Sequence, residues 1–319
     1  MEHAAICKRV MENMSRVVVG KKAAVEMLMV ALLADGHMLI EDVPGLGKTL
    51  LAKSLARSLS AAFKRVQCTP DLLPADITGF SVYNQKTGCF ELRHGPVMTH
   101  VLLVDEINRA IPRTQSSLLE SMAERQVTID GQTLPLSRPF FVIATQNPIE
   151  LEGTFPLPEA QLDRFLLKIH LGYPDKEEEM KILRRFQTAD PLKELETVIS
   201  VEQVTALQEE VRRVHVAEAV LDFIGEIGGA TRTSRAFRYG ASPRGTLGLM
   251  RASQALALLQ GRSYVLPDDV KRLAPAVLSH RLILTEEERL RGGEAGPILE
   301  DLLSRVPVPA LEERGTRTG

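Results

Sequence analysis

Glu41-Asp42-Val43-Pro44-Gly45-Leu46-Gly47-Lys48-Thr49 is the stretch on which the fold turns. It follows a short apolar run at residues 38–40 and opens a helical pattern at Leu50. A glycine-rich loop between a buried strand and a helix leaves the first helical N–H groups without intrahelical partners, and those donors, with the positive end of the helix dipole, face whatever anion sits there. In the nucleotide-binding pattern GxxxxGK[ST] the lysine reaches the β and γ phosphate oxygens and the following hydroxyl coordinates Mg²⁺. Lys48 and Thr49 take those places here, with Pro44, Gly45, Leu46, Gly47 and Leu50 completing the cradle. The pattern's first glycine is Asp42. An aspartate tolerates the left-handed conformation better than most residues, but its carboxylate has to face away from the phosphates. Against this stands the alternative of a glycine-rich turn between core elements.

Working outward, short apolar runs at residues 38–40, 63–68, 101–104, 140–144 and 165–169 are separated by helical stretches such as 50–60. Non-alternating apolar strands separated by helices predict a parallel sheet covered on both faces, an α/β domain. The run Val101-Leu102-Leu103-Val104 ends in Asp105-Glu106. A neighbouring buried strand would deliver both carboxylates to the phosphate loop, Asp105 to hold Mg²⁺ and Glu106 to act on the attacking water as general base. The third polar cluster, Ala144-Thr145-Gln146-Asn147-Pro148, closes another apolar run. Asn147 there either holds the attacking water or is simply a turn residue before proline.

Two insertions interrupt the α/β pattern. Residues 127–129 and 132–134 flank Asp130-Gly131, a pair suited to the positive φ angles of a type I′ turn, so a β-hairpin is predicted. Residues 69–99 are richer in proline and glycine and leave room for a second hairpin around Lys86-Thr87-Gly88. Before the loop, residues 6–16 and 22–35 read as helices. After His170 helical periodicity takes over. Asp175 and Glu178 form a capping-box signature, and helices are predicted at 201–214, 217–227, 246–260 and 268–278. The organisation expected is a nucleotide-binding domain at 1–173, a helical domain at 174–306 and a flexible tail at 307–319.

Composition narrows the function classes. A formal charge of −2, no Trp and 4% aromatic residues provide neither a general attraction for nucleic acid nor a base-stacking platform. Cys7, Cys68 and Cys89 are widely spaced, so they read as reduced thiols, and the seven histidines show no short ligand spacing. The longest apolar run, residues 27–34, has eight residues, against roughly 20 needed to span a bilayer. With no signal-peptide pattern, the expectation is a cytoplasmic protein without membrane insertion.

Taken in order, VPGLGKT, LLVDEINRA, ATQNP, LPEAQLDRF and SPRGTLGL make a set that resembles the MoxR family of AAA+ ATPases, from about residue 17 to residue 284. The resemblance implies an αβα P-loop core with a five-stranded parallel sheet, an all-α lid, and ATP held with Mg²⁺ between subunits of a homo-oligomeric ring, a hexamer. By position it makes Asn147 the sensor-1 residue, Arg164 the arginine finger and Arg244 the sensor-2 arginine of the lid. Val19 and Gly20 then line the adenine pocket, and the two hairpins are the helix-2 and pre-sensor-1 insertions. It further implies ATP hydrolysis coupled to chaperone-like remodelling of protein clients, among them proteins with a von Willebrand factor A domain.

On physical grounds alone a guanidinium is suited to these roles, since it stays charged and forks across phosphate oxygens. The alternatives are an ion pair of Arg164 with Asp163 or Glu159, and a solvated basic face formed by Arg232, Arg235, Arg238 and Arg244. Arg109 and Arg113 carry no assignment. Two other functions share the same motifs: a DNA-acting ring motor of helicase type, and a scaffold that binds nucleotide only to assemble.

Overall fold

A computed structural model of the chain describes residues 2–149, 153–187 and 190–309. It forms two compact units, Met1–Arg212 and Arg213–Gly319. In the first, helices α1 (Glu2–Ser15) and α2 (Lys22–Leu33) precede strand β1 (Met38–Glu41), and helix α3 (Lys48–Ser58) leads to strand β2 (Phe63–Gln67). Helix α4 (Pro74–Thr78) and the hairpin β3 (Gly79–Asn84) and β4 (Cys89–His94) then precede strand β5 (Val101–Asp105). Helix α5 (Pro112–Glu124), a second hairpin of β6 (Gln126–Ile129) and β7 (Gln132–Pro135), strand β8 (Phe141–Gln146), helix α6 (Glu159–Leu162) and strand β9 (Leu167–Ile169) follow. Helices α7 (Lys176–Phe186) and α8 (Val201–Val211) end the unit.

The five main strands run parallel in the order β2-β5-β8-β1-β9. Their apolar runs do not alternate because helices cover both faces; Val101, Leu102, Leu103 and Val104 are all fully buried, as are Met38, Leu39 and Ile40. The central strands β5, β8 and β1 carry the polar residues Asp105, Thr145 and Glu41 at or near their C-terminal ends. That edge is where ligands bind in sheets of this kind.

Both predicted hairpins are present. Asp130 and Gly131 have φ of 49° and 80°, the pair of positive angles that a type I′ turn requires. One face of this hairpin is anchored: Val127 and Ile129 are buried in the core with Leu118, Leu119 and Met122 of α5. The β3–β4 hairpin instead exposes Phe80, Val82, Tyr83 and Phe90, the last 74% accessible, and Tyr83 and Phe90 stack edge to face at 5.4 Å.

The boundary between units departs from expectation. Gly172-Tyr173-Pro174 marks the end of the sheet, but the first unit continues to Arg212. The segment that follows α7 is tied back onto it: Arg57 Nε donates to the Leu195 carbonyl at 2.6 Å, Val198 N to the Ser58 carbonyl at 2.8 Å, and Gln208 Nε2 of α8 to the Leu32 carbonyl at 2.7 Å. The Asp175–Glu178 capping box forms as predicted, with Asp175 Oδ1 accepting from Glu178 N at 2.8 Å.

The second unit contains helix α9 (Glu218–Thr233), strand β10 (Phe237–Tyr239), helices α10 (Pro243–Leu259) and α11 (Pro267–Leu278), strand β11 (Ile283–Leu284), and helices α12 (Glu286–Leu290) and α13 (Ala295–Arg305). Its core is apolar, with Leu249, Ala252, Leu256, Val270, Leu273 and Val277 fully buried. A short antiparallel pairing of β10 with β11 qualifies the all-α expectation. Of the expected tail, residues 310–319 lie outside the described residues. The three cysteines are free thiols, and burial pushes Cys7 and Cys68 up to about 12.

Candidate nucleotide site

The loop after β1 places its two glycines in the left-handed region, Gly45 at φ 87° and Gly47 at φ 88°. Gly47 is the N-cap of α3, and no side chain caps that helix. The first-turn N–H groups of α3 are thus left for a ligand, and a Cβ added to Gly45 or Gly47 would meet only open space. Asp42 is not among the residues with positive φ, so the missing first glycine costs the loop nothing conformationally. Its N–H donates to the Gln146 carbonyl at 3.1 Å, and its carboxylate accepts from Leu171 N, away from the helix terminus.

Lys48 Nζ donates to the Asp42 carbonyl. Burial lowers its pKa below the ordinary lysine value, an effect opposed by the charges of Asp42, Asp105 and Glu106. The ammonium thus rests against the loop backbone, within electrostatic reach of these carboxylates.

At the end of β5, Asp105 is 8% exposed. Its Oδ1 accepts from the Thr145 hydroxyl at 3.2 Å and its Oδ2 from Arg65 Nε at 2.6 Å. Glu106 turns the chain out of the strand with φ 56° and ψ 51°. A left-handed glutamate is a conformation costing on the order of 1–3 kcal/mol, and such residues cluster at functional sites. The conformation is held by Glu106 N donating to Thr145 Oγ1 at 2.9 Å. Glu106 Oε2 accepts from Gln67 Nε2 at 2.8 Å and from Arg109 Nη1 at 3.3 Å. Arg109 therefore belongs beside Glu106.

Asn147 takes the turn role. It is 6% exposed, and its Oδ1 accepts from Ile149 N at 3.1 Å in the turn predicted before proline. It also lines the cavity. With Oδ1 engaged in the turn, the amide Nδ2 remains as a hydrogen-bond donor.

Pro44, Gly45, Gly47, Lys48, Thr49, Leu50, Asp105, Glu106 and Asn147 surround one cavity of about 320 Å³, within the range of small-molecule sites. Leu46, Val19, Gly20 and Arg164 do not line it. Gly20, at φ 76°, instead packs against Glu178, whose Cδ would lie 2.2 Å from an added Cβ. Arg164 follows α6 and is half-buried. Arg244 stands exposed in the first turn of α10, where Ser242 Oγ caps by accepting from Gly245 N at 3.1 Å. Arg232, grouped with it in the sequence, is committed to the Ala241 carbonyl at 2.9 Å.

Sequence reasoning missed Arg65, Gln67 and Thr145, which also line the cavity. A signal existed for the first two: Phe63-Lys64-Arg65-Val66-Gln67 carries polar residues two apart at the end of a strand, which places them on one face. Thr145 stands inside the polar cluster that was read for Asn147 alone.

The donors fit nucleotide and magnesium. Uncapped helix N–H groups and Lys48 suit phosphate, while the Thr49 hydroxyl and Asp105 carboxylate are hard oxygen ligands of the kind Mg²⁺ takes alongside phosphate oxygens. Among the described residues no cluster of three or more His, Cys, Asp or Glu forms an all-protein metal site.

Residues 37–167 match the ATPase family associated with various cellular activities (AAA), and residues 229–302 match the AAA lid domain. An uncharacterized protein of Bacillus subtilis, YeaC, is 50% identical over 94% of this chain and 94% of its own length. Chaperone MoxR1 of Mycobacterium tuberculosis is 45% identical over 95% of this chain and 82% of its own length. A crystal structure of a candidate ATPase from Cytophaga hutchinsonii superimposes with a TM-score of 0.91 at 41% identity, covering 97% of this chain and 96% of the other. With the phosphate loop, the paired carboxylates and the sheet order that joins them, these likenesses establish that the chain belongs to the MoxR family of AAA+ ATPases.

Proposed function

We propose that the chain is a Mg²⁺-dependent ATPase that works as a homo-oligomeric ring, a hexamer, and couples hydrolysis to chaperone-like remodelling of protein clients. The observation that carries the ATPase reading is the convergence of an uncapped helix terminus, Lys48, Thr49, Asp105 and Glu106 on one cavity. Lys48 and the loop N–H groups would hold the phosphates, and Thr49 and Asp105 would hold the cation, which would supply charge neutralisation during phosphoryl transfer. Glu106 accepts a proton from the attacking water, and Asn147 Nδ2 positions that water. Arg164 acts on nucleotide held by an adjacent subunit, and Arg244 serves from the lid.

The experiment that tests this reading is Lys48→Ala. Loss of the ammonium should weaken ATP affinity at least about tenfold, since a charge-assisted contact to phosphate contributes about 1.5–3 kcal/mol. Unchanged affinity by calorimetry would mean that the cavity is not the nucleotide site.

The chaperone reading is supported by likeness to Chaperone MoxR1 and by the surface. Phe80, Val82, Tyr83 and Phe90 offer exposed apolar area suited to a protein partner. Proteins with a von Willebrand factor A domain are the client class the family suggests. The β6–β7 hairpin is the second candidate contact. Because Val127 and Ile129 are buried in the core, removing the hairpin would open that core, so the test belongs on its exposed face, where Thr128 and Thr133 pair at 3.0 Å. Thr128→Lys with Thr133→Lys should leave basal turnover within about twofold of the parent, as surface changes usually do. The same pair should remove stimulation by a client captured from lysate. Full client stimulation in this variant would exclude the hairpin from client contact.

A further inference from the structure

Asp105 is held by two donors of different kinds. The Thr145 hydroxyl is neutral, sits in a central strand and is bound in both directions, donating to Asp105 Oδ1 and accepting from Glu106 N. Arg65 carries a full charge on β2, a strand at the edge of the sheet, with its side chain 48% exposed. Its Nε reaches Asp105 Oδ2 at 2.6 Å, and it lines the same cavity as Thr49 and Lys48.

A divalent cation held by Thr49 and Asp105 would be drawn to the carboxylate that Arg65 now neutralises, and repelled by the guanidinium beside it. The two cations contend for one acidic group. Arg65 also has somewhere else to rest, because its Nη2 donates to Gln67 Oε1 at 2.9 Å, and that contact does not depend on Asp105. A half-exposed arginine with a second acceptor two residues away can leave a carboxylate at small cost, whereas Thr145 cannot leave without breaking its bond to Glu106 N.

We propose that Arg65 is a positioning residue that gates the metal site: its guanidinium competes with the divalent cation for Asp105 and so sets how tightly the site takes that cation. This rests on the reading of Asp105 as a metal ligand. Arg65 then keeps the nearly buried carboxylate oriented until the cation arrives with the phosphates. It also makes nucleotide without a cation more acceptable to the site, since removing it leaves Asp105 without its ion-pair partner against the phosphate charge.

The test uses Mn²⁺, which accepts the same oxygen donors as Mg²⁺ and whose free form is counted by electron paramagnetic resonance. It is titrated into the full chain carrying one equivalent of a non-hydrolysable ATP analogue. Arg65→Met and Arg65→Gln, two neutral replacements of different polarity, should lower the half-saturating Mn²⁺ concentration about three- to tenfold, the scale set by losing one partly exposed competing charge. Arg65→Lys should shift it less. Analogue affinity at saturating Mg²⁺ should stay within about twofold of the parent, while affinity in chelator should fall. Combining Asp105→Asn with Arg65→Met should erase the gain.

An unchanged Mn²⁺ midpoint in both neutral variants, with a weakened one in Asp105→Asn, would overturn the gate and leave Asp105 as the metal ligand. Weaker binding of the analogue both with and without Mg²⁺ would make Arg65 a phosphate ligand instead. An Asp105→Asn chain with the parent's Mn²⁺ midpoint would remove the reading on which the gate depends.

Discussion

A Glu106→Gln chain should bind ATP within about threefold of the parent yet hydrolyse it at least ~10²-fold more slowly, the lower end of what a positioned general base contributes. The substitution replaces one carboxylate oxygen by an amide and changes little else. Glutamine is as large as glutamate and meets the same left-handed backbone at φ 56°, so the two residues share the conformational cost. The Glu106 N–H bond to Thr145 Oγ1 is made by backbone and survives. The bond from Gln67 Nε2 survives as well, because the new side chain keeps a carbonyl oxygen to accept it. What disappears is the ability to take a proton from water. Equilibrium binding of a fluorescent ATP analogue and phosphate release measured on the same preparation decide the matter. Parallel loss of both would place Glu106 in binding and remove it from catalysis. Such a chain would also hold clients, and affinity capture with it offers the direct route to identifying them.

Arg164→Ala should likewise bind ATP almost normally, and lose a factor of about 10³–10⁵ in turnover, the range for an arginine that arrives from a neighbour at the transferring phosphoryl group. The side chain stands half-buried after α6, outside the lining of its own subunit's cavity. An arginine that does not line its own subunit's cavity, away from the phosphates it should stabilise, is what trans action requires. Mixing Arg164→Ala with Lys48→Ala chains under conditions of subunit exchange tests it. Interfaces that join the intact loop of one to the intact arginine of the other should recover part of the activity. Mixed rings that recover none, together with full turnover by the parent at dilutions where it is monomeric, would assign Arg164 a role within its own subunit.

The parent's turnover should accordingly rise with concentration as rings form. This dependence separates the ring motor from a nucleotide-bound scaffold, which would assemble without turnover. It also bears on the helicase-type reading, since salt-sensitive stimulation by DNA would then appear on top of assembly.

The sequence by itself determined the phosphate loop, the carboxylate pair, the parallel sheet and both hairpins. Each is written locally: a glycine's access to positive φ, an apolar run ending in acids, an Asp-Gly pair between alternating segments, a capping box at Asp175 and Glu178. Tertiary structure alone decided three other matters. It joined α8 and the segment leading into it to the first unit through bonds from Arg57, Val198 and Gln208, partners separated by well over a hundred residues in the chain. It let Asp42 stand where a glycine was expected, because the φ at that position and the distant N–H of Leu171 are fixed by the folded loop and not by the motif. And it laid β2 beside β5 in the register that sets Gln67 opposite Asp105, so that Arg65 and Gln67 meet Asp105 and Glu106. Strand order is a property of the sheet as a whole, formed by contacts remote in sequence, and a polar residue on an edge strand carries no local mark of the acid it will face.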